Sequence, residues 1–279
     1  MPSFVNHRSI AAVALSLAIS PAASAQTQKP FEPVVGQAGK DVVWVPTPEV
    51  LVERMLDVAK VTPQDYVMDL GSGDGRNVIA AAKRGARALG VEYNPDMVDL
   101  SRRRAEAAGV GGPTGRAQFV QGDMYAADIS QASVMALFLL PQNMMQLRDK
   151  FLALKPGSRI VSNTFGIQDW EPDYNETVPE CTGAWCSVLL WIVPASIAGT
   201  WQAQEGTLTV SQQFQKFSGT VGKPPVVDGK INDGKINGEQ VTFLLNGNRV
   251  TAIARSDVLE GTIDRGGKPT PWRAMRTSK

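Results

Sequence analysis

Apolar residues change their spacing along this chain, and the changes mark out its elements. Val52, Met55, Leu56 and Ala59 recur at i, i+3, i+4 and i+7, the stripe of an amphipathic helix. Thr47-Pro48-Glu49 starts it: Thr47 is placed to cap the free N–H groups, and Pro48 suits the first helical position. From Tyr66 onward, short apolar runs at residues 66–70, 88–92, 117–120, 133–140, 159–164 and 187–193 read as strands. Residues 76–84 and 143–154 read as helices. So does the stretch capped by Asn94-Pro95, which carries Met97, Leu100, Arg104 and Ala108 on one face. Gly85, Gly109 and Lys155-Pro156-Gly157 stop these helices. The run 133–140 is apolar nearly throughout, as in a strand buried on both faces. Such alternation predicts an α/β fold, a doubly wound Rossmann-like parallel sheet with helices on both faces.

At Pro194 the character changes, and from Gly199 the helical period is gone. Alternating stretches recur at residues 208–210, 214–221, 240–245, 249–254, 258–263 and 272–275, and Asn246-Gly247 supplies a hairpin turn between two of them. About seven strands of this kind predict a small all-β meander, closed as a barrel or a sandwich. The pentapeptide Asp-Gly-Lys-Ile-Asn occurs at residues 228–232 and again at 233–237. It reads as a duplicated turn, because a calcium loop would need acidic ligands at tighter alternating spacing.

The first residues follow a different logic. Arg8 gives a short basic start, residues 10–19 carry no charge, and Ala23-Ser24-Ala25 offers the small residues that a signal peptidase reads. The pattern predicts an export signal at residues 1–25, cleaved after Ala25, and hence a periplasmic or secreted protein, membrane-anchored if the signal stays uncleaved. The run is too short for a spanning helix, which needs ~20 apolar residues. Residues 26–41 read as a flexible lead, 42–194 as the α/β domain and 195–279 as the β domain.

Removal of the signal changes the candidate chemistry. Arg8 is the charged residue lost, so Lys plus Arg falls from 28 to 27 against 27 Asp plus Glu. A formally neutral chain gives no support to a nucleic-acid partner. The only histidine, His7, goes as well. The mature chain then has no Ser-His-Asp or Cys-His machinery and no imidazole metal ligand, and no metal is expected. Cys181 and Cys186 are too few for a thiolate metal site. Their spacing permits a disulfide across a small loop without requiring one.

The sequence concentrates its chemistry in Asp69-Leu70-Gly71-Ser72-Gly73-Asp74-Gly75, between a strand and a helix. Glycines let the chain turn sharply and let a ligand approach the backbone. The amides at the following helix start favour a carboxylate or another anion. Glu92 lies 21 residues after Gly71, at the end of the next strand, where an acid can accept hydrogen bonds from ribose hydroxyls. A dinucleotide site would need a third glycine where Arg76 stands, and Asp69 suits a cationic ligand better than a pyrophosphate. Gly122-Asp123 follows the third strand and completes the pattern.

With these pieces in place, residues 42–193 resemble the class I, seven-strand S-adenosylmethionine-dependent methyltransferases. Within them the segment is similar to the mitochondrial-type protein-lysine methyltransferases and their bacterial relatives. The resemblance rests on Trp44-Val45-Pro46-Thr47-Pro48, the Asp69 to Gly75 loop, Val91-Glu92-Tyr93-Asn94-Pro95, Gly122-Asp123, Phe138-Leu139-Leu140-Pro141 and Asp169-Trp170-Glu171-Pro172. It implies S-adenosylmethionine as cofactor. Asp69 and the loop with Gly71, Ser72, Gly73 and Gly75 would hold its amino-acid end, with Thr47 nearby. Glu92, with Tyr93 beside it, would bind the ribose, and Asp123 with Met124 the adenine.

Many amino-methylating enzymes place Asp/Asn-Pro-Pro-Tyr after the fourth strand, whereas here Leu139-Leu140-Pro141-Gln142 stands there. A backbone carbonyl at Leu139 or Leu140 is the candidate to hold an amine, beside Pro141, with Phe138 and Trp170 as pocket walls. No side chain stands out as a general base, although Asp169 and Glu171 are candidates. The favoured acceptor is a protein lysine. A small molecule or lipid acceptor, or a non-catalytic exported binding module, are the alternatives. Export sits awkwardly with a cofactor made inside cells. Gly199-Thr200-Trp201 is similar to the Gly-x-Trp that opens lipocalin-like barrels, a likeness of three residues that assigns the β domain no function.

Overall fold

Residues 1–3, 31–223 and 226–278 are described by the computed structural model of the chain. The expected export signal falls almost wholly outside them. The first helix, α1 (Glu49–Val58), buries Leu51, Val52, Met55 and Leu56 as their spacing predicts. Its N-cap is Pro48, and no side chain caps it. Thr47 is therefore not the cap expected from sequence. It is 3% exposed and lies in the cleft described below. The lead expected to be flexible is hydrogen-bonded where described. Gly36 N–H donates to the Trp44 carbonyl (2.9 Å), Trp44 N–H donates to Gln37 (2.8 Å), and Ala38 bridges Val43.

The elements that follow are β1 (Tyr66–Leu70), α2 (Arg76–Lys83), β2 (Arg87–Glu92), α3 (Pro95–Ala107), β3 (Ala117–Gln121), β4 (Val134–Leu137), α4 (Pro141–Leu152), β5 (Arg159–Asn163), β6 (Tyr174–Thr177) and β7 (Ser187–Ile192). They form one sheet in the order β3-β2-β1-β4-β5-β7-β6. β3 to β5 run parallel, and the order reverses between β1 and β4, where an open α/β sheet leaves a crevice at its strand ends. Alternation alone predicted a wholly parallel sheet; β7 instead runs antiparallel to β5, and β6 antiparallel to β7. The physical reason is the connection. β6 and β7 form a hairpin, which needs only a short loop, whereas a parallel partner needs a long crossover. β6 is polar and lies at the sheet edge, so apolar spacing gave no sign of it. β4 ends at Leu137, three residues short of the apolar run, and Leu139-Leu140 turn the chain into α4.

Eight further strands follow: β8 (Gly199–Ala203), β9 (Gly206–Gln213), β10 (Lys216–Lys223), β11 (Val226–Asn237), β12 (Gln240–Leu245), β13 (Asn248–Arg255), β14 (Val258–Asp264) and β15 (Pro269–Ser278). Each pairs antiparallel with the next and β15 returns to β8, closing a barrel. Trp201, Phe217, Phe243, Val250 and Trp272 are among the buried side chains that fill it. The repeated pentapeptide lies inside β11 and is not a pair of turns. A five-residue repeat would place Ile231 and Ile236 on opposite faces of a strand, yet both are buried. An extra residue between Asn232 and Lys235 resets the phase: three steps on β11 face two on β12, from Leu244 to Thr242.

The barrel joins the α/β sheet through the β9–β10 turn. Trp170 is fully buried, donates from Nε1 to Gln215 Oε1 (2.9 Å), and stacks on Phe214 with centroids 5.5 Å apart. Gln215 in turn donates to the Glu171 carbonyl (2.7 Å), and Lys216 pairs with the Glu171 carboxylate.

Candidate active site

A single cleft follows the carboxyl ends of the strands. Ordered across the sheet, it takes Asp123 from the end of β3, Glu92 from β2, Asp69 from β1, Phe138 beyond β4 and Phe165 beyond β5. Trp185 joins from the loop ahead of β7, whose residue Val188 lies opposite Asn163 of β5. The cleft is therefore acidic over β3, β2 and β1, and aromatic over β4, β5 and β7. Gln37 to Val43, in the hydrogen-bonded lead, line it as well.

The loop between β1 and α2 is shaped by its neighbours. Gly71 and Ser72 both donate to the Val91 carbonyl of β2 (2.8 and 3.1 Å), which folds the loop back over the sheet. Gly75 caps α2 at φ +82°, and a Cβ there would come within 2.9 Å of Phe119 and Ser101, so only glycine fits. Gly75 thus shapes the loop without lining the cleft, while Gly71, Ser72 and Gly73 line it. Glu92 takes the Gly73 amide on Oε2 and the Asn94 amide on Oε1, both at 2.9 Å, and each oxygen keeps a lone pair for a ligand.

Asp69 and Asp74 are both buried, with opposite outcomes. Burial pushes the Asp74 carboxyl up, but hydrogen bonds and charge from Arg76 and Arg104 outweigh it and hold it below its ordinary value. Arg76, which stands where a dinucleotide site needs glycine, also donates to the Thr47 carbonyl and ties α1 to this loop. Asp69 has no cation among the described residues. Burial drives its carboxyl well above the ordinary range, an Asn77 hydrogen bond (3.1 Å) opposes this, and the charges of Glu92 and Asp74 add to it. Ser72 and Asn77 line the same cleft, and Ser72 Oγ and Asn77 Oδ1 are buried without a partner among the described residues. A buried carboxyl with no cation beside it, next to unsatisfied hydrogen-bonding groups, suits a ligand carrying a positive charge and polar hydrogens. The amino-acid end of S-adenosylmethionine has both.

At the β3 end, Asp123 accepts from Lys40 Nζ (2.6 Å) and from the Tyr125 amide (2.8 Å), and the lysine hydrogen bond leads in holding its carboxyl low. Lys40 sits 5.0 Å from the centroid of the Tyr93 ring, and Tyr93 and the buried Met124 line the cleft beside it. Lys40 was not anticipated from sequence. A lysine in a polar lead gives no signal until the chain folds across the cleft.

The acceptor side corrects three expectations. Trp170 does not wall the cleft; its ring belongs to the joint with the barrel. Pro141 is the first residue of α4 and is not part of the lining, although Leu139 and Leu140 are. The Leu140 carbonyl already accepts from Asn143 (3.0 Å) and Met144 (3.1 Å) as α4 begins. No described donor reaches the Leu139 carbonyl. Asp169 pairs with Arg148 and Glu171 with Lys216, and neither acid lines the cleft. The aromatic residues sequence reasoning missed are Phe165 and Trp185. Neither lies in a cofactor motif, and only the strand order brings them to Phe138.

Comparison with known proteins agrees with this layout. Residues 69–174 match the family model of the ANTKMT methyltransferase domain. The chain is 46% identical to a protein-lysine N-methyltransferase of Saccharolobus islandicus over 134 residues, 47% of this chain and 81% of that protein. It is 37% identical to the adenine nucleotide translocase lysine N-methyltransferase of Mus musculus over 123 residues, 43% of this chain, and spans about half (52%) of that relative's length. Among solved structures, an RNA methyltransferase from Salinibacter ruber in complex with S-adenosyl-L-homocysteine is similar at 41% identity. The match has a TM-score of 0.50 and covers 55% of this chain and 96% of that one. Fold, cleft and relatives coincide: the chain belongs to the class I S-adenosylmethionine-dependent methyltransferases.

Proposed function

We propose that the acceptor is the side-chain amine of a protein lysine. The observation that carries this reading is the division of the cleft. The carboxylates lie over β3, β2 and β1, while Phe138, Leu139, Leu140, Phe165 and Trp185 line the acceptor end without an acid. Two of the relatives above are named for lysine methylation, which supports the same reading.

When bound, S-adenosylmethionine supplies a methyl group already activated on a sulfonium. Asp69 would hold the ammonium of its amino-acid end, with Ser72 and Asn77 as hydrogen-bonding partners. Glu92 would take the ribose hydroxyls, and Asp123, displaced from Lys40, the adenine. The remaining task of the chain is alignment of a nucleophile. A lysine reaches the cleft as an ammonium with no lone pair, and an apolar surround lowers its pKa so that the proton leaves to solvent. The Leu139 carbonyl would accept an N–H of the neutral amine and fix the direction of its lone pair. Holding two reactants in line can remove ~7–11 kcal/mol of barrier. No general base is required, in keeping with an acceptor end where no described residue supplies one.

Incubation of the protein with methyl-labelled S-adenosylmethionine and a cell extract tests the acceptor, with Asp69→Ala as the control. Label recovered in protein as methyllysine is the expected result. Label in solvent-extractable material or in RNA would replace the lysine reading with another acceptor.

A further inference from the structure

The aromatic end of the cleft is built with more care than a simple apolar wall requires. Phe138 and Phe165 stack with centroids 5.9 Å apart and planes 10° from parallel. Phe165 is aimed by Thr164, whose φ of +57° is left-handed, a conformation that a β-branched residue keeps only when its surroundings impose it. The imposition is visible. Thr164 N–H donates to the Ser187 carbonyl (2.7 Å), its hydroxyl lies 3.2 Å from the Ser187 amide, and the Ser162 hydroxyl donates to the Phe165 carbonyl (2.8 Å).

A third ring comes from another element. Trp185 lies 6.1 Å from Phe138, tilted by 58°, and remains 40% exposed although it lines the cleft. Its loop is closed by a disulfide between Cys181 and Cys186, with Cα atoms 5.5 Å apart. Both cysteines are packed into the core of the α/β sheet, and Val178 N–H donates to the Cys186 carbonyl (2.8 Å). The crosslink therefore ties the residue next to Trp185 to a rigid base.

We propose that Phe138, Phe165 and Trp185 form an aromatic box that receives the acceptor amine and binds its methylated, cationic forms, with Trp185 as the wall held in place by the Cys181–Cys186 disulfide. The proposal rests on the amine reading given above. Ring faces carry negative charge density and hold a cation whose methyl groups have stripped its hydration, whereas an unmethylated ammonium must give up strongly held water to enter and is driven toward its neutral form. A methylated lysine would then be retained for a further transfer, and Trp185 would set how many methyl groups are added.

Binding can be read without turnover. The full chain, saturated with S-adenosylhomocysteine, is titrated calorimetrically with Nα-acetyl-Nε-trimethyllysine amide and with its uncharged tert-butyl analogue of the same shape. The box predicts tighter binding of the cation than of the neutral probe. Trp185→Ala should weaken the cation about three- to thirtyfold, and Trp185→Phe should recover most of the loss. Affinity for S-adenosylhomocysteine, which reports on folding, should stay unchanged in both variants. Cys181→Ser with Cys186→Ser should weaken the cation in the same direction as Trp185→Ala. Equal binding of the two probes, or a Trp185→Ala variant that binds the cation as the parent does, would overturn the box. Unaltered binding by the cysteine double variant would remove the role of the disulfide. Failure of the lysine reading shows separately, as label outside protein in the extract experiment.

Discussion

Asp69 is enclosed with Glu92 and Asp74 as acidic neighbours, and its carboxyl is held well above the ordinary range, first by burial. A cationic ligand reverses that situation by favouring the ionised form. Binding of S-adenosylmethionine should therefore release a proton from Asp69, and affinity should rise with pH until the free site is itself ionised. Calorimetry in buffers of different ionisation enthalpy measures the release. Asp69→Asn should abolish it, and proton uptake in the parent would contradict the assignment. Linkage gives the free protein the opposite slope. A carboxyl whose folded pKa is raised contributes stability below its unfolded value, and that contribution is lost as pH rises through the folded value. Asp74 behaves in the reverse sense, because Arg76 and Arg104 outweigh its burial.

At the scale of elements, strands that meet the core on both faces were legible as apolar runs, and β1 falls where its pattern placed it. The polar edge strand β6 was not legible, since solvent exposure leaves no periodicity to read. The β11 repeat misled for a related reason. Its turn-forming Asp-Gly and Asn residues sit in a bulged strand, where the barrel's closure overrides local preference. The cofactor loop was legible because its glycines and acids act locally. The acceptor end was legible only in part: Phe138, Leu139 and Leu140 follow β4 in one motif, whereas Phe165 and Trp185 belong to other segments that only the sheet order brings to Phe138. Trp170 illustrates the cost of judging an aromatic residue by its motif. Its ring is packed against Phe214 and Trp191, and its Nε1 meets Gln215. Trp170→Ala should destabilise the protein by about 3–5 kcal/mol, read by thermal unfolding, with affinity for S-adenosylmethionine close to that of the parent. A folded, fully stable variant that fails to methylate would instead return Trp170 to the active site.

For the whole molecule, the α/β sheet and the barrel each bury a core of their own, and among the described residues no helix is long and apolar enough to cross a membrane. The Cys181–Cys186 bond suits an oxidising compartment, which supports the proposal that residues 1–25 direct export. Cell fractionation should then recover a shortened chain starting at Gln26 outside the cytoplasm; a full-length cytoplasmic chain would refute export and remove the difficulty of cofactor supply. The cleft itself is tested most directly by calorimetric titration of the protein with S-adenosylmethionine, alongside Glu92→Ala. Glu92 joins the Gly73 and Asn94 amides and lines the cleft, where it would meet the cofactor, so its loss should weaken binding about ten- to hundredfold while circular dichroism shows the fold intact. Equal affinity in the two proteins, or no binding by a folded parent, would contradict the placement of the cofactor over β1 and β2.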